Sequence, residues 1–469
     1  MPGEFERAIA ALLSRELPDF IALSTCEQLT TGASQETWRI HCTVESGEAS
    51  FALRRAPPGA SAGSSVGGLP LATEARLLEL AAQGCVPGPV VRYVLQPGDD
   101  LGEGFLMDWL EGETHGLKIT HGEEFAGVRP TLARRCGEIL AQIHALDWRA
   151  AGLDNALRAV DSATLIAETW EHYRELQVPV PMIDFTWRWL REKLPPDTRM
   201  TLVHGDFRNG NLMLTAEGIN GVLDWELAHI GNPLRDLGWL CVNSWRFGRP
   251  ELPVGGFGRR EELLAGYNAI SGLRITPAEL HYWQVFGSFW WAMATLQMAA
   301  AWRSGNTPSL ERPVIGRRSS EAQMDCVNLL LPGEVTLPAP DQALSAGTQL
   351  PMPAELLSGV AEFLKDTVAG KLEPHAGFLA KVGANSLRIA QRELQHGEAL
   401  RAAELQRLRA LLGMQQGDID SLRWQLVGQL REGLPLQTPG LAEHLRQTVA
   451  GQLFIDQPRY SALSSPALA

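Results

Sequence analysis

The chain has 469 residues, of which 45% are hydrophobic and 20% charged, and it carries a formal net charge of −13. That length allows two or three domains with a sizeable core. The acidic balance excludes a strongly basic face for nucleic acid; it fits solubility and, weakly, a cationic acceptor. Cys26, Cys42, Cys85, Cys136, Cys241 and Cys326 are scattered without a CxxC pair. Neither a zinc site nor a disulfide framework is indicated, and reduced thiols point to the cytoplasm.

In chain order, the first twenty residues read as an amphipathic helix, not a signal peptide. Residues 1–112 alternate short strand-like runs with turns and hold one helix around 73–82. Residues 113–330 are mostly helical. Within them, residues 285–302 are apolar enough to mimic a membrane span. Gly287, Ser288, Thr295 and Gln297 interrupt that run, so a buried helix is expected and no membrane association. Residues 331–352 are rich in Pro, Gly and Ser and read as a linker. Residues 353–469 show only helical patterns, at 354–368, 377–395, 398–412, 419–431 and 441–453.

The chemistry concentrates in His204-Gly205-Asp206-Phe207-Arg208-Asn209-Gly210-Asn211, followed by Leu223-Asp224-Trp225. Protein kinases use an Asp to accept the hydroxyl proton, an Asn five residues later to hold metal, and a second Asp to bridge magnesium to the phosphates. Asp206, Asn211 and Asp224 have that arrangement. Phosphoryl transfer needs hard oxygen donors for magnesium and one base near the acceptor oxygen. The competing reading is a pair of Asx-turns around a hairpin. The Asn spacing, the second Asp and the following Gly231-Asn232-Pro233-Leu234-Arg235-Asp236 favour the functional one.

These motifs resemble the aminoglycoside phosphotransferase and choline kinase superfamily, which has HGD where protein kinases have HRD. The wording LVHGDFRNGNLML and GVLDWELAHIGNPLRDLGWL is most similar to the branch containing the kinase domain of acyl-CoA dehydrogenase family proteins. The resemblance covers residues 20–330. It implies an α+β, protein-kinase-like bilobal fold: a β-rich N-lobe with hinge over 1–112 and a helical C-lobe over 113–330. It also implies ATP and Mg2+ as co-substrate and cofactor, and a small-molecule hydroxyl as acceptor. Residues 353–469 resemble an all-helical extension of unassigned function on bacterial phosphotransferases, suited to packing, self-association or docking.

The resemblance assigns further roles. Residues 29–38 take the place of the phosphate-covering loop, where Gly32 and Ser34 let backbone N–H groups face the phosphates; an ordinary hairpin turn is the alternative. Arg54, at the end of a strand-like run, stands where kinases place Lys, and its fork of donors suits phosphate. Glu74 is its expected helix partner, with Glu79 as the fallback. Residues 105–112 match the interlobe hinge, or are simply a core strand, or both; the backbone of Met107 and Trp109 is expected to face adenine, with Asp108 and Glu111 toward solvent or ribose. Arg208 either neutralises charge on the transferred group or forms an ion pair with Asp236 or Glu226. His204 is expected to fix the loop, and Asp236 to accept its N–H bonds or cap a helix. Arg317 and Arg318 read as a carboxylate or phosphate site, or as structural. The aromatic cluster from Tyr282 to Trp291 reads mostly as core.

The reading that follows is an ATP-dependent kinase acting on a small hydroxyl compound, with a hydroxy acid or hydroxyacyl-CoA as the candidate acceptor. An aminoglycoside or amino-alcohol kinase is one alternative. A non-catalytic nucleotide-binding module is the other.

Overall fold

The computed structural model describes residues 3–31, 35–56, 68–196, 198–305, 309–338 and 351–463. Its contacts divide into two compact units. One comprises residues 1–161, 197–240 and 257–277, and the other 162–196, 241–256 and 278–469.

The first unit is built on an antiparallel sheet of β1 (Phe20–Thr31), β2 (Glu36–Val44), β3 (Gly47–Arg55), β4 (Val91–Val94) and β5 (Gly104–Asp108). The strand order is β1-β2-β3-β5-β4. Ile40, Cys42 and Val44 alternate into the core along β2, as a half-buried strand requires. Central β3 instead buries the consecutive run Phe51, Ala52 and Leu53. Helix Glu4–Glu16 closes one face with Ile9, Leu12 and Leu13, spaced to form a single stripe. The expected helix near 73–82 runs from Leu71 to Gln83.

The rest of this unit frames the loops of the sequence motif. Strand β6 (Thr201–Val203) leads into the HGD loop. The hairpin of β7 (Leu212–Thr215) and β8 (Gly218–Val222) follows it, and β9 (His229–Gly231) returns to pair with β6. Helix Arg129–His144 packs closely against helix Arg260–Ser271.

The second unit is helical. Helices Pro181–Glu192 and Ser319–Leu330 supply Met182, Phe185, Met324 and Val327 to one core with Leu408, Leu422, Leu426, Leu445 and Val449 of the C-terminal helices. The fold is therefore of the expected class: an N-terminal antiparallel sheet, a helical lobe and an all-helical C-terminal region.

Two details differ from expectation. The stretches 377–395 and 398–412 form one helix, Pro374–Leu412. His396 and Gly397, which read as a break, are buried inside it, and the Arg401–Glu393 ion pair, 2.5 Å long, spans the glycine's open side. The pattern at 354–368 is α-helical only over Pro353–Glu362 and then widens into a π-turn over Phe363–Val368. Helix Pro277–Arg303 buries Tyr282, Trp283, Phe286 and Phe289, as a core helix should. Among the described residues, no helix is long and apolar enough to cross a membrane.

Candidate active site

The HGD loop is held from beneath by one carboxylate. Asp236 is fully buried and accepts hydrogen bonds from the backbone N–H of His204 at 2.7 Å and of Gly205 at 2.9 Å. His144 Nε2 lies 3.2 Å from the same carboxylate, and Tyr267 Oη lies 3.0 Å from His144 Nδ1. Burial alone would raise the pKa of Asp236. The His144 bond and the neighbouring His144, His204 and Arg235 outweigh it and hold the group well below the usual carboxylate range. Asp236 thus does what the motif suggested: it satisfies the N–H groups of the loop.

His204 is fixed, too. Burial lowers its pKa, so the ring is neutral, donating from Nε2 to the Leu223 carbonyl at 3.1 Å and accepting at Nδ1 from the Asp206 N–H at 3.2 Å. Gly205 has φ +85°, and a β-carbon there would sit 2.3 Å from the Leu227 carbonyl oxygen, so glycine is required.

These constraints present Asp206. Its Oδ1 accepts from Trp239 Nε1 at 2.7 Å and from Arg208 Nε at 3.0 Å, and its Oδ2 from Asn211 Nδ2 at 2.6 Å. Asn211 also donates to the Asp206 carbonyl at 2.9 Å. With its amide nitrogen turned to Asp206, Asn211 has its carbonyl oxygen for another ligand. The Leu223 N–H donates to the backbone carbonyl of Asn211 at 2.8 Å and ties the loop to the next strand end. Asp224 follows with φ +64°, a left-handed backbone that Asp tolerates better than most residues.

A second constellation adjoins Asp224. Arg54, near the end of β3, contacts Glu74 at 2.9 Å and Asp224 at 2.8 Å, with Glu226 3.9 Å away. Glu74 is therefore the helix partner; Glu79 pairs with exposed Arg76 at 2.8 Å. The ligand oxygens of Glu74, Asp224 and Glu226 lie within 4.8 Å of one another. One guanidinium thus faces three carboxylates. Burial, with Asp224 and Glu226 adding to it and Arg54 opposing, pushes Glu74 up to about 7. Burial and Asp224 raise Glu226 as well. Such a cluster lacks positive charge, and its hard oxygen donors suit a divalent cation such as magnesium.

Several expectations need adjustment. Arg208 pairs with Asp206 itself and donates to the Asn209 carbonyl at 2.8 Å. Met107 lies in β5 between β3 and β4, paired with Ala52 and Val91. The Trp109 N–H reaches the Ser50 carbonyl at 3.3 Å, and the Trp109 indole donates to Glu111 at 2.8 Å. Asp108 is clamped by Arg92 at 2.6 and 2.8 Å rather than left to solvent or ribose. Gly32 and Ser34 lie outside the described residues. Arg317 is spent on Glu393 at 2.9 Å and Asp456 at 3.3 Å, and Arg318 on Glu321 at 3.1 Å, which favours their structural reading. Trp239 and the clustering of Glu226 went unforeseen. Glu226 carried a signal, being a third carboxylate two residues beyond Asp224. Trp239 carried none, because only the fold brings it to Asp206.

A loop-borne Asp braced by Asn and Arg, beside an Arg–Glu pair joined to a second Asp, on a kinase-like fold, is the arrangement of a phosphotransferase. The chain belongs to the phosphotransferase enzyme family, whose pattern matches residues 25–273, while a domain of unknown function, DUF6285, matches residues 370–460. Acyl-CoA dehydrogenase family member 10 of Mus musculus is 31% identical over 36% of this chain and 16% of its own length. Acyl-CoA dehydrogenase family member 11 of Rattus norvegicus is 28% identical over 50% of this chain and 31% of its own length. The chain thus spans less than a third of either relative. A crystal structure from Ralstonia eutropha JMP134, provisionally named an aminoglycoside phosphotransferase, superimposes with a TM-score of 0.55 at 20% identity, covering 68% of this chain and 96% of the other. That likeness establishes the fold.

Proposed function

We propose that this protein is an ATP- and magnesium-dependent kinase that phosphorylates the hydroxyl of a small molecule. The observation that carries the reading is the clustering of Asp206 with Asn211 and of Asp224 with Arg54 and Glu74 on adjoining loops. Three N–H donors occupy Asp206, and a carboxylate has about four acceptor positions. The remaining one is available to an incoming hydroxyl. Asp206 orients that hydroxyl and takes its proton as the oxygen attacks phosphorus. Asn211 and Asp224 would hold magnesium, which would offset the charge of the phosphates. Glu74 fixes Arg54, and Arg54 turns from Asp224 toward the nucleotide phosphates. Arg208, beside Asp206, neutralises charge on the transferred group.

The acceptor we favour is a hydroxy acid or hydroxyacyl-CoA. The support is that curated relatives carry acyl-CoA in their names. An aminoglycoside is the second reading, favoured by the name of the Ralstonia structure. We further propose a cytoplasmic location and, as the functional division, lobes over 1–112 and 113–330, a linker over 331–352 and a helical domain over 353–469.

The test is ADP release with magnesium-ATP and a panel of hydroxyacyl compounds, their CoA esters, choline and aminoglycosides. An acyl compound should stimulate turnover. Asp206→Ala should reduce that turnover by about 10²–10⁴-fold while nucleotide still binds; full activity in that variant would refute the assignment.

A further inference from the structure

Helix Pro353–Glu362 packs against helix Pro374–Leu412 and turns the buried Ala354 and Ala361 inward. Its other side is apolar as well. Leu356, Val360 and Phe363 stand at helical spacing and are 57%, 50% and 56% exposed. Three large apolar side chains in one stripe, each at least half in water, mark a contact surface rather than core packing. Gly359 lies in the same stripe, and a β-carbon there would meet nothing within 4 Å. Glycine weakens a helix, and no described neighbour requires it here. It leaves room for a second backbone to come close. The helix then widens into the π-turn over Phe363–Val368. Such turns are rare and concentrate at functional sites. This one carries Phe363, the end of the stripe.

The charges along one edge of the stripe are of one sign. The spacing of Glu355, Glu362 and Asp366 sets them in a row on that edge, and all three are exposed. Glu355 accepts from the Met352 N–H at 2.5 Å, and Glu362 from the Ser358 hydroxyl at 3.2 Å. Among the described residues none of the three has an ion-pair partner. Lys365 stands one turn after the buried Ala361, on the other flank. Lys365, Lys371 and Lys381 of the neighbouring helix are exposed and pair with none of the row. Within residues 353–373 the acids Glu355, Glu362, Asp366 and Glu373 outnumber Lys365 and Lys371.

We propose that this face docks a basic amphipathic helix of another protein. The apolar stripe receives the apolar face of that helix, and the acidic row meets its lysines or arginines. A second copy of this chain fits worse. In an antiparallel pair each edge meets its own kind, so acid opposes acid. In a parallel pair the two helix dipoles repel. The same row repels an anionic membrane surface.

The test titrates the 469-residue protein into a fluorescein-labelled peptide of about 20 residues, long enough to be helical. The peptide has leucine at helical spacing and lysine on the flanks. The controls are its scrambled isomer and the same peptide with glutamate for lysine. Anisotropy should rise saturably for the first peptide and for neither control. Added salt should weaken the binding, as exposed charge pairs require. Phe363→Ser should weaken it about tenfold or more, with an unchanged thermal midpoint because the side chain is exposed. Glu362→Gln combined with Asp366→Asn should weaken it about threefold or more.

No binding of the lysine peptide at about 1 mM would overturn the proposal. So would equal binding of the glutamate peptide, or undiminished binding by Phe363→Ser. Three other results would give the face to a different occupant and overturn it as well. One is a dimer in sedimentation velocity that Phe363→Ser dissolves. Another is phosphatidylglycerol vesicles that bind the wild type and not that variant. The third is peptide binding that emerges only when residues 341–348 are deleted.

Discussion

Asp206 depends on donors that come from different parts of the chain. The bonds of Arg208 and Asn211 to Asp206 came only from the fold, although both are its sequence neighbours. Trp239 is not a neighbour, and its indole reaches Oδ1 only through the path of the chain after β9. Replacing Trp239 with Phe keeps the ring and removes one charge-assisted bond. Such bonds contribute about 1.5–3 kcal/mol, so kcat should fall about ten- to a hundredfold with little change in the KM for ATP. An unchanged kcat in steady-state assays would mean that Asp206 does not need this bond. Arg54 shows the converse. The expectation that it faces phosphate came from position in a strand and from family likeness, but its bond to Asp224 came only from the fold. Arg54→Ala should raise the KM for ATP about tenfold or more, as the loss of a charged contact predicts. Glu79→Ala, which breaks only an exposed pair, should leave KM unchanged.

At the scale of elements, helix Arg129–His144 and helix Arg260–Ser271 cross at glycines. A β-carbon on Gly137 would stand 2.1 Å from the Leu263 carbonyl oxygen, and one on Gly266 2.1 Å from that of Arg134. Backbone cannot yield as a side chain can. Gly137→Ala should therefore cost about 1–3 kcal/mol, read as a lower denaturation midpoint in urea. This crossing supports His144 and Tyr267, which in turn brace Asp236. The sequence indicated only that 113–330 is mostly helical and did not show this contact, since a glycine in a helix looks merely tolerated until its neighbour is known. The merged helix Pro374–Leu412 carries the same lesson. Gly397 read as a stop, whereas packing of its buried face and the ion pair beside it carry the helix through.

Helix Pro181–Glu192 yields a pH prediction. Asp184 is buried, and burial raises it to about 6, against the pull of Arg431 at 2.7 Å and Tyr173 at 3.0 Å. Its folded pKa lies above the unfolded value of 3.8, so the native state holds the proton more tightly. That contribution is complete below pH 3.8 and is lost as pH rises through about 6. Relative to Asp184→Asn, the wild type should lose about 2–3 kcal/mol across this window. Urea titrations of both proteins at several pH values would read the difference, and parallel curves would contradict it.

For the whole molecule, the sequence was most informative where chemistry imposes spacing. The HGD loop and the class of fold were legible because phosphoryl transfer constrains residue types at fixed intervals. The division into compact units was not. Helices at 181–192 and 319–330 join the C-terminal helices in one core, and apolar stripes do not say which partner they will meet. The segment 105–112 was legible as an extended run, and a strand fills Gly104–Asp108, but backbone contacts leave no side-chain signature of what they meet. The central claim is that Asp206, Asn211 and Asp224 make this family member an active kinase. The most direct measurement is phosphorus-31 NMR of magnesium-ATP incubated with hydroxyacyl substrates and either wild-type protein or Asp224→Asn. The account predicts a new phosphomonoester signal growing with ADP in the wild type and absent in the variant. A wild-type spectrum that shows ATP unchanged with every alcohol tried, or a variant that transfers phosphate as fast as the wild type, would contradict it.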